Sequence, residues 1–159
     1  MSILEKVDKL HQAVAWQGEI PITSRYSAGI AGERFLRTLK DEARILGTRC
    51  PACDLTYVPA TMFCERCFAH LDEWVAVESR GEVFTFTVLH RDLDDQPLNP
   101  PAILAYVRLD GSDGGLVHYL GEVDPACVCI GMEVEAVFKE PAEREGSILD
   151  IRYFRPLGD

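Results

Sequence analysis

The sequence has no long hydrophobic run, and residues 1–14 mix charged with apolar side chains. A secretory signal peptide or a membrane-spanning helix needs an uninterrupted apolar segment. We therefore expect a cytoplasmic protein without a membrane partner, in a compartment where thiols stay reduced.

Short motifs of common catalytic sites are also missing. The chain has no phosphate-binding glycine loop, no Gly-x-Ser-x-Gly elbow and no His-Glu-x-x-His helix. The acidic stretch Arg91–Asp95 lacks the glycine and the terminal glutamate of an EF-hand calcium loop. We therefore expect no enzymatic activity from this chain alone, and the sequence leaves open whether it serves an enzyme complex.

Positive charge is scarce, with 16 Lys and Arg against 26 Asp and Glu and a net charge of −10. Residues 76–159 alone carry seven basic and sixteen acidic side chains. Nucleic-acid binding depends on basic surfaces that meet phosphates, so this segment would repel such a ligand. The aromatic residues of the segment are predicted to be core or interface residues instead: Phe84, Phe86, Tyr106 and Tyr119.

The chain does contain two Cys-x-x-Cys motifs, separated by ten residues. Two such turns facing each other supply four thiolates to one tetrahedral site, which predicts structural zinc bound by Cys50, Cys53, Cys64 and Cys67. Residues 49–74 are too few to bury a core, so metal binding would supply their folding free energy. Iron in a rubredoxin-like site is the alternative metal. A closed four-thiolate shell leaves no position for substrate, so we expect no catalytic role for the ion.

Two further cysteines, Cys127 and Cys129, lie in an apolar stretch and are predicted to be buried free thiols. The alternative is a catalytic nucleophile, which would need His118 or His90 nearby as a base.

Apolar residues recur at helical spacing near the start of the chain: Leu4, Val7, Leu10 and Val14. This pattern predicts an amphipathic helix that lies on another surface, either of this chain or of a partner. Residues 33–44 predict a second helix, with Phe35, Leu36 and Leu39 on one side.

Strand-like patterns rich in β-branched and aromatic residues follow, separated by Asp/Pro/Gly connections. Five strands are predicted, at 83–89, 102–109, 116–120, 134–138 and 148–154. They favour a closed barrel of the OB type over an open sandwich. The predicted fold is therefore mainly β with N-terminal helices. Its segments are a helical part (1–44), a rubredoxin-like zinc ribbon (45–75) and a five-stranded OB barrel (76–159).

The order of these motifs resembles the acyl-CoA-associated family of zinc-ribbon and OB-fold proteins known as domain of unknown function 35. The resemblance runs from Tyr26 to Leu157 and rests on Tyr26–Gly29, Leu46–Cys53, Cys64–Cys67, Gly81–Val88 and Ile130–Val134. Two residues depart from the usual pattern, because Asp54 and Phe68 occupy positions where glycine is common. Phenylalanine tolerates a left-handed backbone poorly, so we expect the second turn to be distorted.

The resemblance implies an accessory subunit whose catalytic residues belong to a partner. Our preferred hypothesis is the noncatalytic zinc subunit of a thiolase-type complex acting on a β-ketoacyl-CoA, in which this chain shapes the substrate entrance. The alternatives are an accessory subunit of an acyl-CoA hydratase or aldolase, and a freestanding acyl-CoA-binding module.

Three cations, Arg37, Lys40 and Arg44, have the spacing of one helical face. They are candidates for contacts with the phosphates of coenzyme A, and a simple solvated basic face is the alternative interpretation.

Overall fold

The computed structural model describes residues 27–158, and the predicted helix over Leu4–Val14 lies outside them. Helix α1 spans Gly29–Glu42 and buries Ala31, Phe35 and Leu39, which are four residues apart and share one face. The helix ends because Ala43 adopts a left-handed conformation (φ 52°), with its N–H donating to the Leu39 carbonyl oxygen at 3.2 Å. The prediction that the helix reaches Arg44 is therefore wrong by two residues.

Three strands form the ribbon sheet: β1 (Ile45–Cys50), β2 (Leu55–Tyr57) and β3 (Glu73–Val77). β1 lies in the middle and pairs antiparallel with both neighbours. The buried Thr48 fixes the adjoining loop, because its hydroxyl donates to the Thr61 carbonyl oxygen (2.9 Å) and accepts from the Thr61 N–H (3.0 Å).

Five strands form a closed barrel in the order β4-β5-β6-β8-β7. They are β4 (Arg80–Arg91), β5 (Pro97–Leu109), β6 (Gly115–Leu120), β7 (Glu133–Phe138) and β8 (Ile151–Pro156). Neighbours are antiparallel except β6 and β8, which pair in parallel at Leu120 and Phe154. The predicted five-stranded OB barrel is thus confirmed.

The last strand begins at Ile151, three residues later than predicted. Residues Ile148–Asp150 form a short 3-10 helix instead, capped by reciprocal hydrogen bonds between Ser147 and Asp150. Asp150 is fully buried and accepts N–H donors from Glu145 (2.9 Å), Gly146 (2.8 Å) and Ser147 (3.2 Å). Burial opposes its charged form, but these donors outweigh that effect and lower the pKa of Asp150 below its ordinary value.

The barrel core continues into the rest of the fold. Phe35 and Leu39 of α1 and Ile45 of β1 belong to the same buried cluster as barrel residues such as Val107 and Phe154. The helix and the first ribbon strand are therefore held by the barrel's own hydrophobic core. The division of the chain at residues 44 and 75 stays a prediction.

A turn of the barrel also contacts the ribbon. The Asp113 carboxylate accepts the Thr56 N–H at 2.8 Å, and the Asp113 N–H donates to the Thr56 carbonyl oxygen at 2.9 Å. A Cβ atom on the adjacent Gly114 would lie 2.5 Å from the Val58 carbonyl oxygen, so only glycine fits this close approach. These contacts fix the ribbon against the β5–β6 turn. Within residues 27–158, no helix combines the length and apolarity needed to cross a membrane.

Candidate metal centre

The four predicted ligands converge at the end of the ribbon sheet. The sulfur atoms of Cys50, Cys53, Cys64 and Cys67 all lie within 4.8 Å of one another, and the Cys50 and Cys67 sulfurs are 3.7 Å apart. Sulfurs at about 2.3 Å from a tetrahedral zinc ion are about 3.8 Å from each other, which matches this spacing. Cys50 ends β1, and the Cys53 turn leads into β2. The chain therefore folds the two motifs onto one point.

Hydrogen-bond donors point at the sulfurs, as expected for thiolates. The backbone N–H groups of Ala52 and Cys53 donate to the Cys50 sulfur, and those of Arg66 and Cys67 donate to the Cys64 sulfur. The Tyr57 hydroxyl lies 3.2 Å from the Cys64 sulfur and accepts the Glu65 N–H, also at 3.2 Å. Donors to coordinating atoms orient ligands and favour their charged form.

The electrostatics of the cluster favour a bound cation. The Tyr57 hydrogen bond, with the backbone donors, lowers the pKa of Cys64 to about 6. The neighbouring Cys67 sulfur and burial raise the pKa of Cys53 to about 12, and burial also raises the pKa of Cys50. Four negative sulfurs this close repel one another, so the cluster holds all four as thiolates only with a cation among them.

Each Cys-x-x-Cys turn closes with a left-handed residue, Asp54 (φ 53°) and Phe68 (φ 58°). The second turn keeps its backbone geometry, since the Phe68 N–H donates to the Cys64 carbonyl oxygen at 2.9 Å. The expected distortion is therefore confined to backbone strain, about 1–2 kcal/mol for a residue with a Cβ. The Asp54 carboxylate meets Arg49 at 2.6 Å, whereas the Phe68 ring is 78% exposed.

The surroundings of the sulfurs contain little else that is apolar. Their buried cluster consists of Cys50, Cys64 and Leu71, with Cys53 and Tyr57 packed against it. A cluster of this size does not hold a fold without a further source of free energy, which a structural ion supplies.

The prediction that Cys127 and Cys129 are buried is wrong, since both thiols are exposed. Val128 between them is buried and holds the segment on the barrel, which turns its two neighbours outward. The sequence could not distinguish these positions because all three side chains are apolar.

His118 is not available as a base for either thiol. Its Nδ1 accepts the Tyr119 N–H at 2.9 Å, and its Nε2 donates to the Ile148 carbonyl oxygen at 3.2 Å. Burial lowers the pKa of His118, so the ring stays neutral and both nitrogens are already used. His118 is a structural residue that joins β6 to the 3-10 helix before β8.

The three predicted cations do not share a helical face, because α1 ends before Arg44. Arg37 pairs with Glu33 on the preceding turn, and Arg44 lies 3.5 Å from Glu42. A groove of about 310 Å³ contains Arg37 and Lys40 together with three carboxylates, those of Glu33, Asp41 and Glu145. The contact of Arg37, Lys40 and Arg44 with coenzyme A stays a prediction.

One feature that the sequence interpretation did not single out is the exposed apolar residue Val117 on β6. Phe84 and Tyr119 are exposed as well, whereas Phe86 packs against the barrel core. Alternation along β6 assigns Val117 and Tyr119 to the solvent side, so their apolar character was the available signal.

A rubredoxin-like zinc ribbon followed by an OB barrel defines the class of this protein. Two family models match in the same order: the rubredoxin-like zinc ribbon domain of ChsH2 over residues 37–73 and the C-terminal OB-fold domain of ChsH2 over residues 74–139. The four cysteines within this ribbon support a structural zinc ion.

The chain belongs to the DUF35 family, as the resemblance predicts. It is 29% identical over 127 residues to a DUF35 domain-containing scaffold protein of Methanocaldococcus jannaschii, covering 78% of this chain and 89% of the relative. A DUF35-family crystal structure of unknown function from Sulfolobus solfataricus is 29% identical, with a TM-score of 0.57 and coverage of 69% and 78% of the two chains.

A second solved structure, described as the Ltp2-ChsH2(DUF35) aldolase, has the same fold. Its TM-score is 0.62 at 24% identity, and the match covers 83% of this chain and 98% of that one.

Proposed function

We propose that this chain is a noncatalytic scaffold subunit, which docks on a catalytic subunit that acts on an acyl-CoA thioester. The observation that carries this proposal is the closed metal centre: four protein sulfurs occupy every position of a tetrahedral ion, so neither water nor substrate has a place on it. The relative described as a scaffold protein supports the same role.

The described hydrogen bonds also give neither of the two exposed cysteines an activating partner. His118 uses both ring nitrogens in structural hydrogen bonds, and no base is in contact with the exposed Cys127 or Cys129 in the hydrogen bonds of residues 27–158. A nucleophile without a base or an electropositive neighbour stays unactivated. We infer that the reacting groups belong to the partner.

We further propose that the partner is a thiolase-like enzyme. In it, a partner thiolate attacks the keto carbonyl of a β-ketoacyl-CoA, the Cα–Cβ bond breaks, and a shorter acyl-CoA leaves and takes up a proton. The acyl group left on the partner's sulfur then passes to free CoA. The bound ion is zinc, held by Cys50, Cys53, Cys64 and Cys67. The complex works in the cytoplasm, where thiols of this kind stay reduced. The family relationship supports this assignment, which otherwise goes beyond the observed fold.

An aldolase partner is the second candidate, because one similar structure is described as an aldolase that contains a DUF35 chain. A hydratase partner and a freestanding acyl-CoA-binding module are the remaining alternatives.

Isolation of the tagged chain from its native host, followed by mass spectrometry of the copurifying proteins, tests the proposal. We expect one enzyme in near-stoichiometric amount, and we expect the purified pair to cleave a β-ketoacyl-CoA in the presence of CoA. Recovery of an aldolase or hydratase would keep the scaffold role and replace the reaction. A chain that remains monomeric and binds acyl-CoA directly would contradict the scaffold role.

The coenzyme A contact has its own test. If Arg37 and Lys40 bind its phosphates, their double replacement by alanine should raise the apparent KM of the complex for CoA several-fold at unchanged kcat. Replacement of the exposed Arg66, which lies in the ribbon turn, is the matched control. Equal KM values for the two variants would contradict this contact.

A further inference from the structure

The outer surface of strands β4, β5 and β6 carries a cluster of apolar side chains, beside the exposed Thr85, Thr87 and Arg108. We define the outer face by five residues: Phe84, Leu104, Tyr106, Val117 and Tyr119. Val117 is 60% exposed, Phe84 52% and Tyr119 44%. Exposure of apolar side chains of this size to water is unfavourable. Contiguous patches of them mark interaction sites more often than isolated exposed residues do.

Strand pairing makes these residues contiguous. Tyr106 lies opposite Val117, and Leu104 lies opposite Tyr119. The Phe84 and Tyr106 rings meet edge to face, with centroids 5.9 Å apart. Opposed side chains on one face of a sheet contact each other, so the five residues form one surface.

The opposite side of the same strands is already filled. Ile103, Ala105 and Val107 alternate with the outer residues of β5 and are buried in the barrel core. The outer face therefore cannot be reassigned to the core by a shift of register, because such a shift would expose these three residues.

The border of the outer face is acidic. The connections that follow β4, β5 and β6 carry seven carboxylates and no Lys or Arg. One of them, Asp113, is bound to the ribbon at Thr56. The other six are Asp92, Asp94, Asp95, Asp110, Glu122 and Asp124. Two nearby cations are paired with carboxylates: Arg91 at the end of β4 lies 3.3 Å from Asp95, and the exposed Arg108, whose guanidinium lies 5.5 Å from the centroid of the Phe84 ring, forms a salt bridge with Glu82. A surface that covers the outer face must therefore meet an apolar centre and a negative border.

We propose that the outer face is the docking surface for the catalytic subunit, whose complementary patch has an apolar centre bordered by Lys and Arg. This inference rests on the proposed scaffold function. A second copy of the chain fits less well, because it brings the same acidic border and a net charge of −10 to the contact. A protein interface with an apolar aromatic centre and a charged rim is the common arrangement for specific complexes.

The test uses the enzyme that copurifies with the wild-type chain, purified together with variants of the full chain. Replacement of Val117 and Tyr119 by glutamate places two charges in the centre of the outer face and leaves the core untouched. We expect at least a hundredfold loss of affinity, since central apolar residues dominate binding. Leu149→Glu is the control, because Leu149 is also 52% exposed but precedes β8. We expect this control to bind like the wild type.

A second variant tests the charge of the border. Asp92→Asn with Asp94→Asn should slow association several-fold and weaken its dependence on salt, with little change in dissociation. Zinc content and thermal unfolding of each variant show that the fold is retained.

Several outcomes would overturn the inference. Unchanged affinity of the Val117→Glu/Tyr119→Glu variant would place the interface elsewhere while leaving the scaffold function intact. A wild-type homodimer that these replacements dissociate would identify a second copy as the occupant. A wild-type chain that retains no enzyme would contradict the scaffold function and this inference together.

Discussion

The end of the ribbon that holds the four cysteines, called the tip below, and the barrel are stabilised by different means. The buried cluster of the tip consists of Cys50, Cys64 and Leu71, with only Cys53 and Tyr57 packed against it. The barrel cluster contains fifteen buried residues, among them Phe154 and Leu39. The barrel can fold by hydrophobic burial, whereas the tip depends on the energy of metal binding. Loss of the metal and loss of the core should therefore affect different parts of the molecule.

The largest expected effect is loss of the metal. Replacement of Cys64 by serine should abolish zinc binding, which contributes about 10–16 kcal/mol in small zinc domains. Hydrogen exchange should rise most at the two Cys-x-x-Cys turns and stay slow in β5. Cys129→Ser is the control, since this thiol is exposed and outside the cluster. Unchanged zinc content would contradict the metal assignment, and uniform unfolding would contradict the separation of the two regions.

The reverse experiment weakens the barrel. Replacement of Phe154 by alanine leaves a cavity in the core and should lower the free energy of unfolding by about 3–5 kcal/mol. Phe84→Ala, at a 52% exposed position, should cost much less. Denaturant unfolding measures both variants. Equal costs would show that the two rings are buried to a similar extent.

A smaller effect comes from the buried carboxylate of the barrel. Because the pKa of Asp150 is lowered in the folded protein, its contribution to stability is present above the unfolded pKa of about 4 and is lost as pH falls through the folded pKa. Asp150→Asn should cost about 1–3 kcal/mol at pH 7, because the amide cannot accept all three N–H donors. Thermal unfolding from pH 7 to pH 3 measures this dependence.

Burial lowers the pKa of His118 in the folded protein. The contribution of His118 to stability is therefore lost over a higher pH range than that of Asp150, beginning near pH 6.5, where the unfolded chain takes up the proton. The difference between the wild type and Asp150→Asn below pH 4 therefore isolates Asp150. A parallel decline of the two proteins in that range would contradict the role given to this carboxylate.

The smallest expected effect should stabilise the tip. Replacement of Phe68 by glycine removes left-handed strain at φ 58° and should stabilise the metal-bound ribbon by about 1 kcal/mol. Competition with a zinc chelator measures the gain in affinity. Phe68→Ala is the control, because it removes the exposed ring and keeps the Cβ atom. An equal gain for both variants would assign the effect to the ring rather than to the backbone.

The sequence predicted the parts of the fold that depend on spacing. The two Cys-x-x-Cys motifs located the metal centre, and alternation with turn residues located five barrel strands. Features that depend on tertiary contacts were missed. The helix ends at Glu42 through the left-handed Ala43, and the 3-10 helix before β8 depends on backbone donors gathered by Asp150. Neither arrangement has a strong local pattern.

The solvent exposure of several side chains could not be predicted from the sequence either. Cys127 and Cys129 lie outward because Val128 takes the inward position, and three neighbouring apolar side chains give no basis for choosing between them. The outer face had a weak signal in Val117 and Tyr119, whose significance depends on which neighbours the strand pairing brings beside them.

The length of strand β1 is constrained at both of its ends. Its first residue, Ile45, belongs to the barrel core and its last, Cys50, to the metal cluster. One inserted or deleted residue between them would turn the thiol or the isoleucine to the wrong side of the sheet, because side chains alternate along a strand. The exposed β4–β5 turn carries no such double constraint. We therefore expect homologous chains to keep the six-residue length of β1 and to vary freely in length at that turn.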